Sequence, residues 1–252
     1  MRRTKVALSL IIRRSWTTYR LNMIEIMNSS ELIQFTSNLK DDFKLTQLDT
    51  SFLNSHYSLI EKIEVWKYST GPIFDQPPHS AELAGFDPGR ILKKLYSSPF
   101  EARLKGAYSS GFIDSAHVIT ISPSKPIEIP VMATFFATND TSVDAISIQY
   151  PNNDTYNSPR PPKLIGIRKI FDFKDRIRAC ISIGEREAYS IDLFYFDEHG
   201  FIDSVSMVSA PYDFQSNCKF NYNNTGELIS ITSNGIVWQK RDSSSFDQNS
   251  KH

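Results

Sequence analysis

The pentapeptide Gly-Phe-Ile-Asp-Ser occurs twice in this chain, at Gly111–Ser115 and at Gly200–Ser204. Each copy belongs to a wider pattern: an aromatic residue, a short polar turn, then Gly-x-Ile or Gly-x-Leu. Phe196-Asp-Glu-His-Gly-Phe-Ile202 and Tyr222-Asn-Asn-Thr-Gly-Glu-Leu228 are the clearest copies. Phe86–Ile91 and Tyr108–Ile113 are looser ones, and Phe173–Ile177 is a turn without glycine. Such a unit reads as a β-hairpin. The aromatic closes one strand, an Asp or Asn side chain starts the turn, Gly takes the φ > 0 position and the aliphatic residue opens the returning strand. A chain that repeats this unit is expected to build an antiparallel sheet from strands taken in order.

Gly, Pro, Asn and Asp punctuate the chain at strand-length intervals from Ile63 onward. The pattern predicts strands at 61–68, 90–97, 102–109 and 112–121, and nine more between 127 and 240. Two proline-rich connections, Gly71–Pro88 and Pro151–Pro162, cannot be central strands, because proline donates nothing to a ladder. Ahead of the strands, Asn28-Ser-Ser-Glu31 reads as a capping box with Asn28 as the cap. Leu32, Phe35, Leu39 and Phe43 follow on one helical stripe, so a helix is expected over Ser29–Phe43 and a second over Thr50–Ile60. The fold class is therefore α+β, with an N-terminal helix or helices packed on a long antiparallel β-meander of repeated hairpins. A sheet of that many strands curls or splits into two layers. Residues 27–242 read as a single β-rich domain, 1–26 as a basic leader or a mis-called start, and 243–252 as a disordered tail.

Charge narrows the partner. Lys+Arg and Asp+Glu number 28 each, but residues 1–26 hold six cations and one acid, leaving a net of −5 on the remainder. A mildly acidic body lacks the clustered Lys and Arg that phosphate contacts need, so no nucleic acid is expected as partner. The apolar run at Lys5–Ile12 is too short for a membrane span. Cys180 and Cys218 lack metal or redox spacing and read as buried apolar residues in a reducing compartment, which points to the cytoplasm. If residues 1–26 are a targeting segment, the chain is instead exported or organellar.

The copies at Phe196–Ile202 and, less closely, Tyr222–Leu228 resemble the tyrosine–aspartate repeats of bacterial Rhs-type proteins, whose core also reads aromatic-Asp-x-x-Gly-x-Leu/Ile. The resemblance covers a small part of the chain, and Phe196 stands where Tyr is usual. It implies a β-shell built of hairpins and association with a toxin.

Motifs for chemistry are few. There is no Gly-rich phosphate loop and no G-x-S-x-G elbow. Ser122-Pro-Ser-Lys125 formally matches S-x-x-K, but Pro123, Pro126 and Pro130 preclude the helix that would bring Ser and Lys together. His56, His79, His117, His199 and His252 are scattered without ligand spacing. Glu185 and Glu187 read as a solvated turn, and Asp114 and Asp203, equivalent in the two pentapeptides, as structural. No catalytic residue, metal ligand or cofactor is assigned. Aromatic density offers a binding face instead: Phe194, Tyr195, Phe196, Asp197 and Tyr222 form the candidate patch, an aromatic centre with an acidic rim. The expected function is a non-enzymatic protein-binding module, in its most specific form an immunity-type protein that neutralises a toxin partner. The alternatives are a hydrolase whose site is assembled from distant residues, and an envelope-associated β-repeat structural protein.

Overall fold

The computed structural model describes residues 26–74, 77–124, 130–151, 160–211 and 214–240. The expectations for the basic leader (save Ile26) and the C-terminal tail lie outside these residues. The chain divides into two compact units between Asp42 and Phe43. Helix α1 runs over Ser30–Leu48, five residues further than its apolar stripe suggests. Ser29, not Asn28, caps it: the Ser29 hydroxyl accepts from Leu32 N–H at 3.4 Å. Its buried stripe is Leu32, Thr36, Leu39 and Phe43. Thr36 takes the place expected for Phe35 because its hydroxyl donates to the Leu32 carbonyl at 2.8 Å, which satisfies the buried oxygen within the helix.

Helix α2 spans Thr50–Glu61 and starts where Asp49 accepts from Phe52 N–H at 2.9 Å. Twelve strands follow, interrupted by α3 (Ser80–Leu83) and α4 (Pro99–Leu104) between the first and second. They are β1 (Trp66–Ser69), β2 (Tyr108–Phe112), β3 (His117–Ile121), β4 (Val131–Thr138), β5 (Ser142–Tyr150) and β6 (Lys163–Lys174). β7 (Ile177–Gly184), β8 (Tyr189–Phe196), β9 (Ile202–Ala210), β10 (Phe214–Tyr222), β11 (Leu228–Thr232) and β12 (Ile236–Gln239) complete the set. All pair antiparallel in one sheet, in strict sequence order from β1 to β12.

Pairing register sorts the side chains into two faces. Val118, Phe136, Ala145, Ile170, Cys180, Phe194, Val205, Cys218 and Ile231 share one face and its main apolar cluster. Ile119, Phe135, Ile146, Ile167, Ile181 and Ile191 share the other. Helix α2 lies on this second face, with the His56 ring 4.9 Å from Phe135 and the Tyr57 ring 5.0 Å from Tyr150. The Tyr150 hydroxyl donates to the Leu53 carbonyl at 3.2 Å. Central strands are thus buried on both sides, which explains near-continuous apolar runs such as Ile177–Ile183.

The sheet curls as one piece around the connection from β1 to α4. Phe74 of that connection packs 4.9 Å from Phe136 on β4, and His79 packs 5.7 Å from Phe220 on β10. The same segment ties both edge strands. Leu92 N–H donates to Tyr68 O at 2.8 Å on β1, and Trp238 of β12 donates to Asp87 at 3.2 Å. Exposed ladder groups at the two ends are in this way partly covered.

Three expected strands differ from the structure. Residues 90–97 contribute only a single bridge, Ser69 to Ile91, and then leave the sheet. Residues 99–104 are helical, because Ser98 caps the helix, accepting from Glu101 N–H at 3.1 Å, and Pro99 follows at the first helical position. Residues 113–116 are the turn between β2 and β3, so 112–121 is two strands and not one. Phe86–Ile91 is not a hairpin: Gly89 lies against Gly71, where a Cβ would come within 2.4 Å of the Gly71 carbonyl oxygen.

The two identical pentapeptides also differ. In Gly200–Ser204, Gly200 sits in the turn at φ +83° and Asp203 lies on β9, facing Lys219 at 3.7 Å. In Gly111–Ser115, Gly111 is inside β2 opposite Trp66 and Ile119, and Asp114 makes the turn, accepting from Ala116 and His117 N–H groups. The turn precedes the strand in one copy and follows it in the other.

Candidate functional site

The residues of the expected aromatic patch fall in different environments. Phe194, 1% exposed, is core on the inner face opposite Val205. Tyr195 points to the other face, a consequence of strand alternation. After a bulge between Tyr195 and Phe196, the Phe196 ring lies 5.7 Å from the Arg178 guanidinium. Asp197 organises its turn: Oδ1 accepts from His199 and Phe201 N–H groups, each at 2.9 Å. Tyr222 is half-buried, its ring 5.1 Å from Phe201. Burial pushes its hydroxyl up to about 12. Phe196 and Tyr222 both pack against the inner cluster that contains Phe194, whereas Tyr195 does not join them.

A different place gathers exposed apolar side chains around a concavity. Between the end of α2, β1 and the segment leading into α4 lies a groove of about 450 Å³. Its floor depends on Gly111. A Cβ there would meet Ile63 side-chain atoms at 2.7 Å and Trp66 Cε3 at 3.0 Å, so glycine leaves the room that Ile63 and Trp66 occupy. Tyr68, 5% exposed, stands beside Trp66 on the face that carries α2, and its hydroxyl donates to the Tyr96 carbonyl at 3.3 Å. The Tyr68 and Tyr96 rings meet edge-on at 5.0 Å. Burial raises the Tyr68 hydroxyl, helped by the nearby Glu101 carboxylate.

The far wall is held by the cap of α4. Glu101 Oε2 accepts from Ser97 N–H and from the Ser97 hydroxyl, both at 2.8 Å, which lowers the Glu101 carboxyl. Val65 and Leu95 form the lips, 71% and 81% exposed. Isolated exposed aliphatics are ordinary, but a pair flanking a groove that holds Trp66, Tyr68 and Tyr96 makes a contiguous apolar surface. The charged side chains lining it are Glu61 and Glu64.

Trp66 and Tyr68 lie on the strand expected at 61–68, but the pattern of 90–97 reads as another strand and hides the groove. The signal was present in Ser98-Pro99-Phe100-Glu101, a helix start with proline at the first position and an acid in the first turn.

Several ionisable groups elsewhere make contacts within the fold. The carboxylates of Glu185 and Glu187 face Lys163 and Lys44 respectively. His117 Nδ1 lies 2.9 Å from both Asp114 oxygens, the same carboxylate that closes the β2–β3 turn. His79, at φ 64°, caps α3 and faces the buried Glu82 at 3.1 Å. On the inner face Arg168 Nε donates to the Ser182 hydroxyl at 2.9 Å, on the strand beside Asp192. Burial holds Asp192 up at about 6, with Arg168 pulling the other way. The neighbouring Cys180 thiol is pushed up to about 12 by burial, so it is not a nucleophile at neutral pH. Among the described residues no group of three His, Cys, Asp or Glu side chains is placed to hold a metal ion. No helix among them is long and apolar enough to cross a membrane. No family model, curated protein or solved structure matches the chain.

Proposed function

We propose that the chain is a protein-binding module whose groove beside β1 receives an apolar anchor from a partner. The observation that carries this reading is the pair of exposed lips, Val65 and Leu95, set around Trp66, Tyr68 and Tyr96. Aromatic pockets ringed by less critical contacts are where binding energy concentrates in protein interfaces. The narrower form, an immunity-type protein that neutralises a toxin, draws on the hairpin resemblance and on the net of −5 outside residues 1–26. Cytoplasmic residence accords with two buried, unpaired cysteines.

A photo-crosslinking amino acid at Leu95, in the native host, tests the reading, with Asp175 in the β6–β7 turn as control position. A partner captured from Leu95 and lost in Val65→Asp supports it, and growth rescue by the chain on co-expression with that partner would identify a toxin. Capture of nothing beyond the Asp175 control, together with turnover of a generic ester, phosphate or glycoside panel, would put the hydrolase alternative first.

A further inference from the structure

We infer that the occupant of the groove is an extended, basic segment of a protein partner that pairs with the outer edge of β1 as an added strand. The inference rests on the protein-binding reading and goes further, because it assigns the binding mode and the chemistry of the partner. β1 pairs with β2 along one edge, Trp66 opposite Gly111 through Ser69 opposite Tyr108. Its other edge is paired only at one end, where Leu92 N–H donates to Tyr68 O at 2.8 Å and Thr70 N–H donates to Arg90 O at 3.0 Å. In an extended chain alternate residues direct their backbone groups to the same edge, so Trp66 presents N–H and C=O on the edge used by Tyr68 and Thr70. Continuing the ladder would set Lys94 opposite Trp66, but the segment turns away toward the Ser98 cap. Among the described residues no backbone partner lies on that edge of Trp66 or Glu64. The groove is the space this departure leaves.

An added strand would satisfy those edge groups and set alternate side chains against Trp66, Tyr96 and Leu95, the arrangement by which open sheet edges recognise peptides. Charge selects the partner. Both charged residues lining the groove are acidic, Glu61 and Glu64. Two lysines of the neighbourhood are turned onto rings instead, Lys67 over Phe112 at 5.0 Å and Lys94 over Tyr96 at 4.8 Å. Lysine or arginine flanking an apolar residue on the incoming strand meets this surface, and a glutamate there does not.

The probe is the fluorescein-labelled peptide Lys-Val-Lys-Phe-Lys-Val-Lys, titrated against the full chain by polarisation. Two backbone N-methylated isomers, one at the Lys positions and one at the Val and Phe positions, block the two edges of the same peptide in turn. The expected result is binding of the parent, loss on methylating one set and retention on methylating the other, with about tenfold weakening by Glu61→Gln combined with Glu64→Gln. Equal affinity for both isomers overturns strand addition while leaving a side-chain-only binding groove, and so leaves the protein-binding reading standing. Equal affinity for the counterpart Glu-Val-Glu-Phe-Glu-Val-Glu overturns the basic partner. No binding of the parent at about 1 mM overturns the inference as a whole, and the Leu95 crosslink then decides the broader reading separately. Self-association of the chain in sedimentation, abolished by Leu95→Asp at a site too exposed to affect folding, also overturns it by assigning the edge to a second copy.

Discussion

Trp238 donates its indole N–H to Asp87 at 3.2 Å across 151 positions of sequence, joining the last strand of the meander to the segment that leaves the first. A twelve-strand sheet in sequence order has two free edges that cannot meet through a short turn, and here the β1–α4 connection serves both. The first prediction follows from that seam. Asp87→Ala and Trp238→Phe should each destabilise, and a double-mutant cycle should show coupling of about 0.5–1.5 kcal/mol, the range for a single hydrogen bond. Denaturant titration of the four proteins checks it. Zero coupling would mean that this hydrogen bond adds nothing to the hold that the β11 ladder and apolar contact have on the edge strand.

Gly200 and Gly226 both have positive φ, +83° and +77°, but their surroundings differ. A Cβ at Gly200 meets nothing within 4 Å, whereas one at Gly226 would stand 2.8 Å from Phe201 Cζ. Gly200→Ala should cost about 1 kcal/mol from backbone strain alone, and Gly226→Ala more, because the Phe201 ring must also move off Tyr222. Unfolding midpoints in urea, compared at constant slope, measure both. Equal costs would remove Phe201 from the account.

These turns show what the sequence made legible. The hairpins at 173–177, 196–202 and 222–228 form as expected, and in the last two Asp197 and Asn223 accept backbone N–H groups across their own turns. Local side-chain chemistry suffices to specify such a unit. It does not suffice where a distant contact sets the role. Gly111 belongs to an identical pentapeptide, yet the packing of Ile63 and Trp66 against it places it within a strand. Residues 90–97 carry a strand-like pattern, but the cap at Ser98 draws them off the sheet, and that departure opens the groove. The candidate site was therefore half legible: Trp66 and Tyr68 from strand pattern, Leu95 and Tyr96 only from the fold.

Cys180 and Cys218 should be silent toward thiol reagents in the native state. Both are buried and unpaired, and burial raises both thiols, Cys180 to about 12. The thiolate is the reactive form, so labelling by a disulfide reagent at pH 8 should track unfolding and accelerate with urea. Rapid labelling of one thiol without denaturant would show that its strand opens locally.

The last prediction concerns Asp192 and acid. Its carboxyl is held at about 6 in the folded chain, mainly by burial, against an ordinary aspartate value near 4 in the unfolded chain. Between those two values the folded state holds a proton that the unfolded state has lost, so the contribution of Asp192 to stability is fully present below about 4 and falls as pH rises to about 6. Its slope is at most about 1.4 kcal/mol per pH unit, since one proton is involved. Asp192→Asn keeps the shape and the uncharged state, and should remove this downward slope and match or exceed the wild type at pH 7. Exposed carboxylates held low, such as Asp114 and Glu227, act in the opposite sense at lower pH, so the difference between the two proteins isolates Asp192. Unfolding free energies at half-unit intervals from pH 3.5 to 7.5 make the comparison. A difference independent of pH would show that Asp192 titrates at the same pH in the folded and unfolded chains, with Arg168 offsetting the effect of burial.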